Sequence, residues 1–228
     1  MKKTEPVNVV TGALILLLVV TIGIGLSWAL WTLPDEAVGL SLIVRESMAQ
    51  SGVTAEVTAI LLNFRGYDTL LEIFVLLVAL LGAWYLERMH LSPVDPEPGP
   101  VLEALVRVLL PFMIIISGYI LWLGGHAAGG AFQAGALLAG AGVMLLVVGS
   151  DKLPLSDGIR MRSLLVAGPA VFTLVAGGLV LSGRNMLQYP VAHASSLILL
   201  IEAASTITIG ITLTLLFAGG RPRRQDKS

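Results

Sequence analysis

The chain contains 228 residues, of which 56% are hydrophobic and 13% are charged, and its mean hydropathy of +0.89 excludes a soluble globular domain. The formal net charge is −1, and no nucleic-acid partner is expected. Because there is no cysteine, the sequence also excludes disulfide bonds, thiolate metal sites and iron–sulfur clusters within this chain, and we expect no cofactor.

Six apolar stretches are long enough to cross a membrane, since a helix of about 20 residues spans a hydrocarbon core about 30 Å thick. They lie at roughly 7–33, 66–86, 104–123, 130–149, 163–182 and 194–218. Lys2 and Lys3 precede the first stretch, as in a signal peptide, but the stretch is longer than a typical signal sequence and no obvious cleavage site follows it. We therefore predict an all-α integral membrane protein with about six transmembrane helices.

The distribution of basic residues predicts the topology. Six spans place both termini on one side, and all but three of the 14 Lys and Arg residues then fall on that side. Arg45, Arg65 and Arg184 are left on the other side. Because basic residues concentrate in cytoplasmic segments, we expect the N and C termini to be cytoplasmic.

The connection between the first two predicted helices, residues 34–63, mixes charged and apolar side chains. It is compatible with an interfacial amphipathic helix, a partner-docking segment or a folded loop. Directly after it, Arg65, Asp68 and Glu72 lie on nearly one face of the second helix. Arg65 and Asp68 either anchor the helix mouth or form a site there, whereas Glu72, about 10 Å along the helix, is a candidate for ion or proton transfer.

Prolines divide the chain into two parts. Residues 91–100, LSPVDPEPGP, contain four prolines and cannot continue a helix. We predict the following order: a two-helix membrane domain at 1–90, a linker at 91–102, a four-helix membrane domain at 103–220 and a basic tail at 221–228. Near the start of the four-helix domain, Glu103 and Arg107 are spaced for a local ion pair.

A glycine-rich segment, GGHAAGGAFQAG at 124–135, joins the third and fourth predicted helices. Its single histidine, His126, titrates near physiological pH and could gate a proton at the outer mouth of a pathway. A hydrogen-bonding role as a cap of the turn is the alternative.

Glu202 lies deep within the last predicted helix, where an ionisable residue is costly unless it faces protein, water or a partner. Ser205 and Thr206 follow it on the same side of the helix, and their hydroxyls could help to hold Na⁺ or a chain of waters. The alternative is structural: Glu202 hydrogen-bonds a neighbouring helix, and the small hydroxyl residues let helices pack closely.

No pattern in the sequence indicates an enzyme. A nucleotide-binding glycine loop, a metal-ligand cluster and a nucleophile with a base in evident reach are all missing from it. We therefore expect no catalytic residues, and no metal beyond transient Na⁺.

Two segments resemble known families. Residues 110–135 resemble the B subunit of Mrp-type multisubunit Na⁺/H⁺ antiporters, in which a Gly-His turn precedes a Pro-Gly-Gly-Gly-Phe-x-Gly-Gly stretch. The matching residues are Gly125, His126, Gly129, Gly130, Phe132 and Gly135. Ala128 replaces the family's proline, Ala131 and Ala134 replace glycines, and Glu202 stands where the last helix of that subunit usually carries Asp.

Residues 57–72, VTAILLNFRGYDTLLE, resemble the E-type subunit of membrane-bound hydrogenases, which also occurs within the long A subunit of Mrp antiporters. The family pattern is Asp-Phe-Arg-Gly-Phe-Asp-Thr-Leu-x-Glu. Asn63 replaces its first Asp. The residues kept are Arg65, Gly66, Asp68, Thr69, Leu70 and Glu72.

The resemblance implies a fused subunit of an Mrp-type Na⁺/H⁺ antiporter in the cell (plasma) membrane. Its implied partners are complex-I-like large subunits and other small subunits, together with lipid, Na⁺ and H⁺. It further implies that the chain contributes a membrane half-channel. Glu72 and Glu202 would carry ions or protons, with Asp68 and His126 at the mouth.

Two other functions stay open from the sequence. The chain could be a structural subunit of a membrane-bound hydrogenase or a complex-I-like oxidoreductase with an Mrp-like module, in which the carboxylates hold helices together. It could also be a small stand-alone transporter that works as a homo-oligomer. A pore needs polar residues on several helices, and this sequence supplies few.

Overall fold

The computed structural model describes residues 9–32, 41–87, 99–149 and 158–219. Within these ranges the protein is helical and contains no strand, so the predicted all-α fold is confirmed. The helices are α1 (Val9–Trp31), α2 (Ser41–Ser51), α3 (Glu56–Ala59), a π-helix (Ile60–Phe64), α4 (Gly66–Glu87), α5 (Pro100–Leu123), α6 (Ala131–Val147), α7 (Ile159–Leu181) and α8 (Ala194–Phe217).

Each of the six predicted apolar stretches coincides with a helix. Four helices of the described residues are long and apolar enough to cross a membrane: Gly66–Tyr85, Pro100–Leu123, Ile159–Leu181 and Ala194–Phe217. Two further apolar helices are shorter, Leu16–Trp31 and Ala131–Val147. The chain is therefore a multi-pass membrane protein, while the cytoplasmic location of its termini stays a prediction.

The chain divides into two compact units, residues 1–42 and residues 43–228. The first contains α1, whose described side chains are exposed. The second contains nearly all of α2 and every later helix. Most of the predicted linker at 91–102 and the whole of the predicted tail at 221–228 lie outside the described residues.

Helix α8 lies at the centre of the second unit, where it packs against α4, α5, α6 and α7. Glycines of α6 allow α8 to come close. A Cβ atom at Gly135 would lie 2.8 Å from Cβ of Ile209, and one at Gly142 would collide with Thr214. Small residues permit this close packing between membrane helices.

The hydroxyl of Thr208 is inserted into the hydrogen-bond ladder of α7. It accepts a hydrogen bond from the Gly168 N–H at 2.8 Å and donates one to the Leu164 C=O at 3.0 Å. These two backbone groups would pair with each other in a regular α-helix. The next residue, Pro169, has no N–H and removes a further backbone hydrogen bond. A side chain of α8 therefore satisfies the irregular backbone of α7, as a membrane interior requires.

Residues 52–66 pack against the turn between α7 and α8. A Cβ atom at Gly52 would lie 2.6 Å from Cβ of Ala194, and one at Gly66 would collide with the side chain of Leu187. Of the segment 34–63, residues 34–40 lie outside the described residues, and the rest forms α2, a short loop at 52–55, α3 and most of the π-helix. Its role as an interfacial helix, a docking segment or a folded loop stays a prediction.

The ion pair expected between Glu103 and Arg107 is not formed, so that prediction was wrong. Both side chains are exposed on α5. The two ion pairs recorded among the described residues join Arg65 to Asp68 and Arg45 to Glu56. Exposed side chains gain little from pairing, so a favourable spacing alone does not decide whether an ion pair forms.

Candidate functional site

Glu202 of α8 lies against the N-terminus of α6. Only 5% of the residue is exposed. Its carboxylate accepts a hydrogen bond from the backbone N–H of Ala131, the first residue of α6. Helix α6 has no acidic residue in its own first turn, so a side chain from another helix accepts one of the N–H groups that lack a partner at a helix N-terminus.

Gly130 makes room for this carboxylate. Its φ of +112° lies in a region that favours glycine, and a Cβ atom there would lie 2.7 Å from Oε1 of Glu202. Oε1 of Gln133 lies 3.9 Å from the same position, so a side-chain amide flanks the space. The glycine is therefore needed both for the turn and for the approach of the carboxylate.

Thr206 ties α8 to the same point. Its hydroxyl donates a hydrogen bond to the backbone C=O of Glu202 at 2.8 Å, and the C=O of Ala131 lies 3.4 Å away. The hydroxyl is thus engaged with backbone groups on both helices. The structure brings Thr206 to Glu202, as the spacing predicted.

Three other hydroxyl groups among the described residues are buried without a hydrogen-bond partner, those of Tyr189, Ser205 and Thr212. Ser205 is 2% exposed, and its Cα lies 3.0 Å from the Cβ position of Gly168 on α7. Tyr189 lies in the turn before α8, where burial raises the pKa of its phenol, which therefore stays neutral. Ser205 thus faces α7, whereas Thr206 faces α6.

The glycine-rich turn folds back on the end of α5. The C=O of Ile120 accepts hydrogen bonds from the N–H groups of Gly124, at 3.2 Å, and Gly130, at 3.1 Å. A Cβ atom at Gly124 would lie 2.7 Å from Cα of Gly130. His126 is exposed at the tip of this turn, with its ring 5.5 Å from that of Trp122 between centroids. Its role as a gate stays a prediction.

Two threonines that sequence patterns did not indicate bind this turn. The hydroxyl of Thr58 donates a hydrogen bond to the C=O of Gly124, and that of Thr54 donates one to the C=O of Gly125 at 3.3 Å. No signal in the sequence indicates this pairing, because the partners lie 66 and 71 residues away.

At the start of α4, Arg65 and Asp68 form an ion pair with Nη2 and Oδ2 2.5 Å apart. Both side chains are more than half exposed, and Glu72 is also exposed, one turn further along α4. The outer face of α4 therefore presents a charged pair and a carboxylate to whatever surrounds the chain.

The four predicted pathway residues, Asp68, Glu72, His126 and Glu202, are not gathered in one place. No group of three or more His, Asp or Glu side chains that could hold a metal ion occurs in the part of the chain that the structure describes. Glu202 is buried at the α6 N-terminus, and the other three are exposed. The arrangement can hold one proton or one monovalent cation at a buried carboxylate.

Two known families match most of the chain. Residues 101–220 match the family described as a domain related to the MnhB subunit of Na⁺/H⁺ antiporters, and residues 11–96 match MbhE, a family of MBH subunits. An uncharacterized protein of Methanocaldococcus jannaschii is 28% identical over 58% of this chain. The match spans 59% of that relative's length.

Two solved structures share the fold. A chain of the membrane-bound sulfane sulfur reductase, an archaeal respiratory membrane complex, has a TM-score of 0.68 and 22% identity, covering 94% of this chain and 100% of that one. A chain of the Mrp complex from a Dietzia species has a TM-score of 0.67 and 18% identity, covering 99% of this chain and 27% of that one. At these identities the likeness shows the fold.

Proposed function

The chain belongs to the family that carries a domain related to the MnhB subunit of Na⁺/H⁺ antiporters, and from this premise we propose that it is a membrane subunit of an Mrp-type multisubunit cation/proton antiporter. The match of residues 11–96 to MbhE supports a fused chain that occupies two adjacent places in such a complex. The chain would then be a transport subunit and not an enzyme.

The observation that carries the proposal is the position of Glu202. A carboxylate in a membrane helix is costly unless protein or water stabilises its charge. The Ala131 N–H and the N-terminus of α6 provide that stabilisation. Glu202 takes part in neither of the two ion pairs recorded among the described residues. Because no ion pair with a described residue holds it, the carboxylate can bind and release a proton or Na⁺ in this proposal.

The exposed candidates fit the mouth and the outer wall of a half-channel. Arg65 and Asp68 lie at the start of α4, and the Thr58 contact brings this part of the chain to the same end as the turn that bears His126. In this proposal Asp68 and His126 bind the ion or proton at the mouth of the half-channel. Glu72, which is exposed on α4, then transfers it at the contact between α4 and a neighbouring subunit of the complex.

The surroundings of the chain belong to the same proposal. The partners are complex-I-like large subunits and further small subunits of the antiporter. Both termini lie in the cytoplasm, and the membrane is the plasma membrane. Large exposed apolar side chains on α5, such as Val108, Phe112 and Ile115, are compatible with lipid or subunit contacts along that helix.

Expression of the whole operon with an affinity tag on this chain tests the proposal. We expect the tag to purify the other subunits, and membrane vesicles to exchange Na⁺ for H⁺. Deletion of this gene should abolish exchange, and the plasmid-borne wild-type gene should restore it. The chain reconstituted alone should show no exchange, and exchange by the isolated chain would instead support a stand-alone transporter.

A second candidate is a structural subunit of a redox-driven membrane complex with an Mrp-like module. It is favoured by the fold match over the full length of a chain of the sulfane sulfur reductase complex. In that case the tag would purify electron-transfer subunits. Ion movement in vesicles would then require an electron donor, whereas the antiporter works on an imposed pH gradient alone.

A further inference from the structure

The α2–α4 connection holds the glycine-rich turn between α5 and α6. Thr58, in the short helix α3, donates its hydroxyl proton to the C=O of Gly124, and Thr54 donates to the C=O of Gly125 at 3.3 Å. Thr58 is 5% exposed, and its neighbour Ala59 is fully buried. Thr58 and Ala59 are therefore packed at this contact, whereas Thr54 lies at its exposed edge.

The carbonyl of buried Gly124, directly after the last residue of α5, takes its donor from outside the helix. The carbonyl of Gly125 is only half-buried, and its contact with Thr54 is exposed. A buried C=O without a donor destabilises the structure, so hydroxyls at this point fix the orientation of the Gly124 and Gly125 peptide groups. The hydroxyls of Thr54 and Thr58, four residues apart, thus donate hydrogen bonds to the successive carbonyls of Gly125 and Gly124.

The fixed turn leads directly to Glu202. The Cβ position of Gly124 is 2.7 Å from Cα of Gly130, and the Cβ position of Gly130 is 2.7 Å from Oε1 of Glu202. Residue 131, the next in the chain, donates its N–H to the Glu202 carboxylate. Movement of Gly124 therefore displaces Gly130 and re-aims the Ala131 N–H.

We propose that Thr58, with Thr54 beside it, is a positioning residue for Glu202: it fixes the glycine turn so that the Ala131 N–H stays aimed at the carboxylate. Through this contact the MbhE-like part of the chain controls the buried carboxylate of the MnhB-related part. The effect on ion exchange rests on the proposed function, whereas the effect on the turn does not.

Amide hydrogen exchange of the purified complex, measured over residues 120–131, tests the proposal. Thr58→Val has nearly the same shape but no hydroxyl, and Thr58→Ser keeps the hydroxyl. Loss of one hydrogen bond should make the turn amides of Thr58→Val exchange about 3- to 10-fold faster than wild type. Thr58→Ser should restore wild-type protection, and Na⁺/H⁺ exchange in vesicles should follow the same order.

The proposal is overturned if Thr58→Val leaves the turn amides as protected as in wild type, or if Thr58→Ser exchanges as fast as Thr58→Val. If the Thr58→Val complex fails to assemble, the same amide measurement is made on Thr54→Val, whose contact with the turn is more exposed. Faster hydrogen exchange of the turn amides supports the proposal, and unchanged hydrogen exchange overturns it. A complex in which the turn loosens while Glu202→Gln leaves transport intact would keep the positioning role and contradict the ion-carrying role proposed for Glu202.

Discussion

The carboxylate of Glu202 and the backbone N–H of Ala131 form a hydrogen bond between the third turn of α8 and the first residue of α6. Gly130, immediately before Ala131, leaves the space for this contact. The site thus depends on a side chain of α8 and on the backbone geometry of the turn before α6. Substitutions can test the two contributions separately.

Gly130→Ala should destabilise the protein by about 1–3 kcal/mol, because its backbone conformation strains any residue with a Cβ atom. The added Cβ would also lie 2.7 Å from Oε1 of Glu202. Gly125→Ala is the matched control, since its Cβ position meets no atom within 4 Å. Thermal unfolding of the purified chain in detergent gives the melting temperatures of both variants. Equal melting temperatures for the two variants would contradict the role given to Gly130.

Thr208→Val should destabilise the packing of α7 on α8 by about 1–3 kcal/mol, because it leaves the Gly168 N–H and the Leu164 C=O without the hydroxyl that joins them. Thr208→Ser keeps the hydroxyl and should retain most of the stability. The same unfolding measurement applies. If valine and serine behave alike, the hydroxyl does not support the backbone of α7.

Gly135→Ala should weaken the contact between α6 and α8, because the new Cβ would lie 2.8 Å from Ile209 and 3.1 Å from the C=O of Thr206. Forcing a methyl group into such a packed contact costs about 1–3 kcal/mol. Gly118→Ala, in the open on α5, should leave the stability unchanged or slightly higher. A drop in melting temperature for Gly118→Ala as large as for Gly135→Ala would refute close packing as the cause.

The sequence predicted those features that depend on local composition. Hydropathy located the six apolar helices of the described residues, because a span needs a continuous apolar stretch. The i, i+4 spacing rule failed for Glu103 and Arg107, whose exposed side chains form no ion pair.

Features that depend on which helices face each other could not be predicted. The position of Glu202 predicts a carboxylate inside the membrane, but its donor is the backbone N–H of Ala131. Because every residue except proline has a backbone N–H, the residue types do not indicate which one is the donor. Likewise, the Thr58 contact with Gly124 joins residues 66 positions apart, and the insertion of Thr208 into α7 joins residues about 40 apart. Only the packed fold brings these groups together.

The most direct measurement is Na⁺/H⁺ exchange in membrane vesicles from cells that express the whole operon with Glu202→Gln. Glutamine keeps the size of the side chain but cannot carry a proton or a negative charge. Glu103→Gln is the control, because Glu103 is exposed in the first turn of α5. A native gel verifies assembly of each complex. We predict that Glu202→Gln abolishes exchange in an intact complex while Glu103→Gln retains it. Wild-type exchange by an assembled Glu202→Gln complex would contradict an ion-carrying role for Glu202.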